Sequence, residues 1–201
     1  MRKPVHGGTV IAAAATAVIG LTALPALAAT WTVTGSVGPY RAVSVNTKLT
    51  KGFYTFSCIP FAAGASVTLN GSLPNGTGLT SPIGNVTSSA WLGCSGPVGL
   101  VTISHTGAWL INPASQSGGP TSPVTGSISN IGFTIAGSGC TATITGSVNF
   151  IYNNAGTLQL TGGTGLTVTS ASCGSYLVVN DQPVLTGSFA VTPNTIRIKT
   201  P

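Results

Sequence analysis

Apolar and small polar residues alternate along most of this chain, in short stretches of roughly four to eight residues. Clear cases are residues 31–34, 42–49, 141–145, 166–169 and 196–199. Because successive side chains of a strand point to opposite faces, each stretch places one set inward and the other outward. The apolar residues do not recur at the spacing of an α-helix. The pattern therefore predicts β-strands as the main element.

Glycine and proline separate these stretches. They stand at 38–39, 73–76, 96–97, 112–113, 118–120 and 192–194. Such residues end strands because proline lacks an N–H and glycine adopts conformations closed to other residues. About ten to thirteen short strands fit between them. We predict an all-β fold, an antiparallel β-sandwich of the Ig-like or jelly-roll-like kind.

A five-residue motif recurs, with the pattern apolar, Thr or Asn, Gly, Ser, apolar. Its copies occupy residues 33–37, 69–73, 124–128, 144–148 and 185–189. A glycine inside a strand weakens it unless a bulge, a bend or a close backbone approach uses it, so the motif predicts a repeated architectural corner. It also suggests an internal duplication, with two similar halves meeting near residues 113–122 of a single domain, residues 29–201.

Residues 1–28 have the composition of a secretory signal peptide. Arg2 and Lys3 precede an apolar stretch at 9–24, and the Ala-Leu-Ala sequence at 26–28 is typical of a cleavage site. The alternative is a retained membrane anchor, but the stretch is shorter than the roughly 20 apolar residues that span a bilayer. We predict cleavage after Ala28, an extracellular or cell-surface location, and no transmembrane span in the mature chain.

Four cysteines follow this leader, at Cys58, Cys94, Cys140 and Cys173. An even number of cysteines in an exported chain favours disulfides, of which three pairings are open. We favour Cys58 with Cys94 and Cys140 with Cys173, because sequential pairing gives two loops of similar length. A zinc site is the weaker alternative, since no two cysteines have the close spacing of a zinc knuckle.

Several of these cysteines lie within motifs that resemble a known group. The motifs lie at Trp31 with residues 33–35, and at residues 94–99, 109–112, 137–140 and 172–174. They resemble small secreted, disulfide-bonded, β-rich proteins of actinobacteria, and the resemblance spans nearly the whole mature chain. It implies an exported, disulfide-bonded β protein. It brings no catalytic residue to this chain.

Acidic and histidine side chains are too scarce for most enzyme chemistry. After the leader the chain has one carboxylate side chain, Asp181, and one histidine, His105. General acid–base catalysis, glycoside hydrolysis and metal-assisted hydrolysis each need several such groups at one site. A Ser-His-Asp triad would need both residues, and the chain has no Gly-x-Ser-x-Gly elbow. We predict a non-enzymatic protein with no cofactor and no metal, in which Asp181 forms a turn.

Basic residues suggest one kind of partner surface. They are Arg41, Lys48, Lys51, Arg197 and Lys199, and with the single acid they give the mature chain a net charge of about +4. They lie near the two ends of the chain, so pairing of the ends predicts one basic patch that attracts an anionic envelope or an acidic partner. The alternative is protection of edge strands by charge. Nucleic acids and nucleotides are not expected partners, since the basic residues are few and the phosphate-binding glycine motifs are missing.

Aromatic residues supply the remaining candidates. Trp31, Trp91 and Trp109 could contact a ligand, because aromatic rings give a large contact area at low entropic cost. We predict a non-catalytic protein that binds a protein or an envelope polymer. The alternatives are a carbohydrate-binding module that uses exposed aromatic residues, and a protease inhibitor that presents the loop at residues 93–99.

Overall fold

The computed structural model describes residues 29–35, 38–59 and 64–201, and these form sixteen strands without an α-helix. The predicted signal peptide at 1–28 lies outside the described residues. The strands are β1 (Trp31–Thr34), β2 (Gly38–Ser44), β3 (Thr47–Lys51), β4 (Tyr54–Cys58), β5 (Val67–Leu73), β6 (Gly76–Leu79), β7 (Gly84–Trp91), β8 (Cys94–Gly96), β9 (Gly99–His105), β10 (Trp109–Gln116), β11 (Val124–Gly137), β12 (Cys140–Asn153), β13 (Thr157–Gly162), β14 (Leu166–Ser172), β15 (Val184–Thr192) and β16 (Arg197–Lys199).

Thirteen strands form one antiparallel sheet that folds back on itself in a sandwich-like arrangement. One wall contains β14, β12, β13 and β15 in hydrogen-bonded order, with β11 paired to β12. Two series of hydrogen-bonded strands connect β15 with β11 on the opposite side of the core. One series is β2-β5-β7-β10 and the other is β3-β4-β8-β9. The second wall of the sandwich therefore has two four-stranded parts, and both pair with β15 and β11. The prediction of an all-β antiparallel fold is confirmed, with more strands than expected.

The long strands change partners between these two parts. β11 pairs with β10 up to Ser129 and with β9 from Phe133. β15 pairs with β3 at 184–187 and with β2 at 190–192. A strand that changes its neighbour midway needs a local irregularity. In β11, Asn130 supplies it with a φ of 55°, next to a register shift against β12.

The recurrent motif places glycine where two backbones approach closely. In β5, a Cβ at Gly71 would overlap the carbonyl oxygen of Asn85, beside a register shift between β5 and β7. In β12, Gly146 has a φ of 133°, and a Cβ there would overlap the carbonyl oxygen of Gly165. A Cβ at Gly35 or Gly126 would likewise overlap a carbonyl oxygen, so packing requires the side-chain-free residue in four of the five copies. The suggested duplication stays a prediction.

A three-stranded sheet, β16-β1-β6, packs against the core, where Ile198 of β16 lines one cavity with Tyr40 and Phe150. The chain ends pair here, with Val33 opposite Ile198. Asn154, in the turn after β12, is 4 % exposed and holds this sheet in place: its Nδ2 donates to the Ile198 carbonyl at 2.9 Å, and the Ile198 N–H donates to its Oδ1 at 2.9 Å. A further Nδ2 bond reaches the Ser122 carbonyl at 3.0 Å.

Burial follows the alternation that the sequence predicts. In β5, Val67, Leu69, Gly71 and Leu73 face inward, and the residues between them are half-buried. A single hydrophobic cluster joins both parts of the sandwich. Tyr152 lies in it and donates its hydroxyl to the Ile196 carbonyl at 2.9 Å. Burial raises the pKa of Tyr152 to about 12, against the opposing effect of Arg197.

Two disulfides join neighbouring strands, Cys58 with Cys94 and Cys140 with Cys173, as predicted. Disulfides of this kind are typical of an oxidising compartment outside the cytosol. Within the described residues no helix is long and apolar enough to cross a membrane.

Candidate functional site

The tryptophans that were candidate ligand contacts are mostly core residues. Trp31 and Trp109 are each 1 % exposed, so neither offers a ring face to a ligand. The Trp109 indole N–H donates to the Gly132 carbonyl at 3.2 Å. Trp91 is half-buried and its ring lies 5.9 Å from that of Phe133. Of the three, only Trp91 stays accessible.

His105 forms a structural link between two strands. Its Nδ1 lies 3.0 Å from the Ser89 hydroxyl, and its Nε2 lies 2.6 Å from the Gly107 carbonyl. Since a carbonyl only accepts, Nε2 carries the hydrogen, and in the neutral ring Nδ1 accepts from Ser89. Ser89 in turn accepts the Trp91 indole N–H at 2.7 Å. The imidazole also stacks on Trp109, with ring centroids 4.5 Å apart.

This arrangement contains part of a catalytic triad, a serine hydroxyl bonded to a histidine. The third position is held by a backbone carbonyl in place of a carboxylate. Asp181 is engaged elsewhere, with the Val178 N–H at 2.7 Å and Lys51 at 3.1 Å. The structure therefore does not bring His105 and Asp181 together. The prediction that Asp181 forms a turn is confirmed.

The structure separates Arg41 from Lys48, two of the five basic residues that were expected in one patch. The chain ends do pair, but Lys48 and Arg41 lie opposite Thr186 and Thr192 of β15, six residues apart. At the rise of a strand this separation is roughly 20 Å. Lys51 lies beyond Lys48 toward one end of the molecule. Arg197 and Lys199 lie on β16, an edge strand of the small sheet, where charge discourages pairing with another sheet.

The loop at residues 93–99 does not present a free peptide. Its central strand β8 pairs with β4 on one side, Ser95 opposite Ser57, and with β9 on the other, Ser95 opposite Leu100. A protease inhibitor offers an extended segment whose backbone can pair with the enzyme. Here both edges are occupied, which argues against the inhibitor alternative.

The core leaves little room for a small ligand. One cavity of about 30 Å³ lies there between Tyr40, Phe150 and Ile198, and its lining is apolar. It is far smaller than the clefts of several hundred Å³ that hold ligands. Three larger depressions, of about 470, 390 and 290 Å³, are grooves open to solvent rather than enclosed clefts. No group of three or more His, Cys, Asp or Glu side chains within the described ranges could hold a metal ion.

A more distinctive surface lies at one end of the molecule, where two turns meet. The first joins β3 to β4 with two residues, Gly52 and Phe53, between the paired Lys51 and Tyr54. Gly52 has a φ of 55°, as the first central residue of a type II′ hairpin turn requires. This geometry projects Phe53 into solvent with a relative exposure of 103 %. A phenylalanine with so few contacts contributes nothing to the core.

The second turn covers Val178, Val179, Asn180 and Asp181. The Asp181 N–H donates to the Val178 carbonyl at 3.0 Å, and Asn180 has a φ of 73°, which fits the third residue of a type II turn. Leu177, 1 % exposed, anchors the segment in the core. Val178 and Val179 remain 48 % and 46 % exposed.

Polar and aromatic contacts hold these two turns together. Lys51 and Asp181 form an ion pair at 3.1 Å, with side chains 28 % and 20 % exposed. Tyr54 and Tyr176 meet edge to face with ring centroids 5.0 Å apart. Two bonds tie the second turn to β14, since the Asn180 N–H donates to the Val168 carbonyl and the Val168 N–H to the Asp181 carbonyl, each at 2.9 Å. We call this surface, Phe53 with Val178 and Val179 on their two turns, the two-turn tip.

Sequence reasoning missed the two-turn tip, although one signal was present. Phe53 follows a glycine, and glycine as the first of two loop residues is typical of a hairpin turn. Alternation alone does not mark Phe53 as exposed, because inward positions have odd numbers in β3 and even numbers in β4. The valines carry no such signal, because Val178 and Val179 follow the buried Leu177 without alternation.

Comparison with known proteins finds no match to this chain among family models, curated proteins or solved structures. The resemblance to secreted actinobacterial proteins therefore stays a prediction.

Proposed function

We propose that this chain is an exported, non-catalytic protein that binds a protein or a component of the cell envelope through the two-turn tip. The observation that supports it is Phe53, which is fully exposed on one turn, while two exposed valines lie on the second turn that the Lys51–Asp181 ion pair holds against it. Aromatic residues are enriched among those that dominate binding energy at interfaces. Apolar side chains that are exposed to solvent do not stabilise the fold, and a group of them on one surface is typical of an interaction site.

The construction of the tip supports the same proposal. Leu177 in the core, the Lys51–Asp181 ion pair and the bonds to Val168 fix both turns before a partner arrives. A surface that is ordered in advance loses less conformational entropy on binding than a mobile loop. The single carboxylate side chain of the protein is used to hold this surface together.

Capture experiments test the proposal. Protein recovered from the medium of an exporting host, with its N-terminus read by mass spectrometry, is immobilised and exposed to the envelope extract of the producing cell. We expect the protein to retain a defined component and Phe53→Ser to lose at least about 90 % of it, since burial of a phenylalanine side chain is worth roughly 1.5–3 kcal/mol. Val45→Ser is the matched control, because Val45 is 64 % exposed at the opposite end of β3.

Two outcomes count against the proposal. One is equal retention by Phe53→Ser and the unchanged protein, which would exclude the two-turn tip as the binding surface. The other is retention on polysaccharide alone that depends on Trp91 rather than Phe53, which would favour the carbohydrate-binding alternative.

A further inference from the structure

We infer that the partner of the two-turn tip is an anionic lipid surface, into which Phe53, Val178 and Val179 insert. This inference rests on the proposed function and specifies its ligand. It predicts a peripheral contact, in which the two turns enter the headgroup region while the sandwich stays outside. Short apolar side chains at the tip set a shallow depth of insertion.

The shape of the tip fits a soft surface better than a rigid one. Phe53 projects from its turn with a relative exposure of 103 %, and the valines lie on a second turn next to it. Projecting side chains need a pocket on a protein partner, whereas a lipid layer closes around them. Tyr54 and Tyr176, half-buried behind the tip, are residues of the type enriched at membrane–water interfaces.

The backbone of the second turn can leave water at little cost. Three of its N–H groups already have partners within the protein: Val178 donates to the Asp181 carboxylate, Asp181 to the Val178 carbonyl, and Asn180 to the Val168 carbonyl. An unpaired N–H is costly in a nonpolar medium, and here these donors are satisfied beforehand. A turn that binds a protein by backbone pairing would instead keep such groups free.

Charge also favours an anionic surface. Lys51 neutralises Asp181, the one carboxylate side chain of the chain, so no uncompensated side-chain acid opposes approach. Lys48 lies on the same strand three residues from Lys51, roughly 10 Å away. Lys48 therefore adds a second basic side chain on the strand that leads to the two-turn tip, and a basic side chain near an anionic headgroup layer is attracted to it.

A second copy of the chain fits this surface less well. Three side chains on two turns expose far less than the roughly 800 Å² per partner that a stable interface buries. Insertion into lipid needs no such area, because a few apolar side chains with nearby cations give reversible binding.

Vesicle flotation tests the inference with the exported protein. The probes are vesicles of phosphatidylcholine alone and of phosphatidylcholine with phosphatidylglycerol. We expect the protein to float with the anionic vesicles and Phe53→Ser to lower the partition coefficient about tenfold or more. Val178→Ser should lower it by a smaller factor, and Lys48→Gln should lower it for anionic vesicles only. Val45→Ser should match the unchanged protein.

The outcomes separate this inference from the proposed function. If the protein binds neither type of vesicle, yet Phe53→Ser still abolishes capture of an envelope protein, the lipid inference is overturned and the proposed function stands. If vesicles bind the protein and Phe53→Ser equally well, the lipid inference is overturned, and the proposed function fails with it when Phe53→Ser also leaves capture from the envelope extract unchanged. Binding that is lost with Phe53→Ser and kept with Val45→Ser supports both.

Discussion

Replacing Asn154 by alanine should lower the free energy of unfolding by about 3 to 5 kcal/mol. Asn154 is 4 % exposed, and three well-formed hydrogen bonds join it to Ser122 and to both backbone groups of Ile198. At about 1 kcal/mol for each bond, their loss amounts to about 3 kcal/mol. The decrease reaches about 5 kcal/mol if the Ile198 N–H and carbonyl stay buried and no water replaces the bonds to Asn154.

Urea unfolding followed by circular dichroism measures this change, with Asn46→Ala as the control. Asn46 is exposed in the turn before β3, and its substitution should change the free energy by less than about 0.5 kcal/mol. Hydrogen exchange at the Ile198 amide should also become faster in the Asn154 variant, because that amide donates to Asn154. A loss below about 1 kcal/mol, with unchanged exchange at Ile198, would refute this account of how the small sheet is held.

Three further predictions concern stability. Thr47→Val should raise the free energy of unfolding by about 1 kcal/mol in the same urea assay, because the buried Thr47 hydroxyl has no hydrogen-bond partner among the described residues and valine has the shape of threonine. A decrease would show that the hydroxyl is bonded. Replacing both Cys58 and Cys94 by alanine should lower the free energy of unfolding by about 4 kcal/mol, the value that the chain-entropy model gives for a sequence separation of 36. A decrease below about 1 kcal/mol would contradict that model for this disulfide. Burial raises the pKa of Tyr152 to about 12, so the folded state keeps this proton at pH values where the unfolded chain has lost it. Stability should therefore fall as the pH rises from about 10 to 12, and the fall should be less steep in Tyr152→Phe. An equal slope in both proteins would contradict this assignment.

Local pattern was sufficient to predict much of the fold. Alternation and turn residues predicted an antiparallel β fold. The cysteine order predicted both disulfides, because sequential pairing closes two loops of similar length, with sequence separations of 36 and 33. The Asn-Asp-Gln-Pro sequence predicted the turn at Asp181, since short polar side chains bond their own backbone.

Properties that depend on long-range pairing were not predictable in the same way. The basic residues were expected together because the chain ends pair, but the pairing of β2 and β3 along β15 separates Arg41 from Lys48. Burial of Trp31 and Trp109 likewise depends on which strands cover them. The two-turn tip is formed by segments more than a hundred residues apart, and alternation within either segment carries no information about the other.

Site-specific photocrosslinking on the producer's own envelope tests the central claim most directly. A benzophenone amino acid replaces Phe53 in one exported protein and Val45 in another, since both side chains are exposed and lie at opposite ends of β3. Binding through the two-turn tip predicts adducts from position 53 and essentially none from position 45. Equal yields at both positions, or no adduct at position 53 from a protein that the envelope retains, would contradict it.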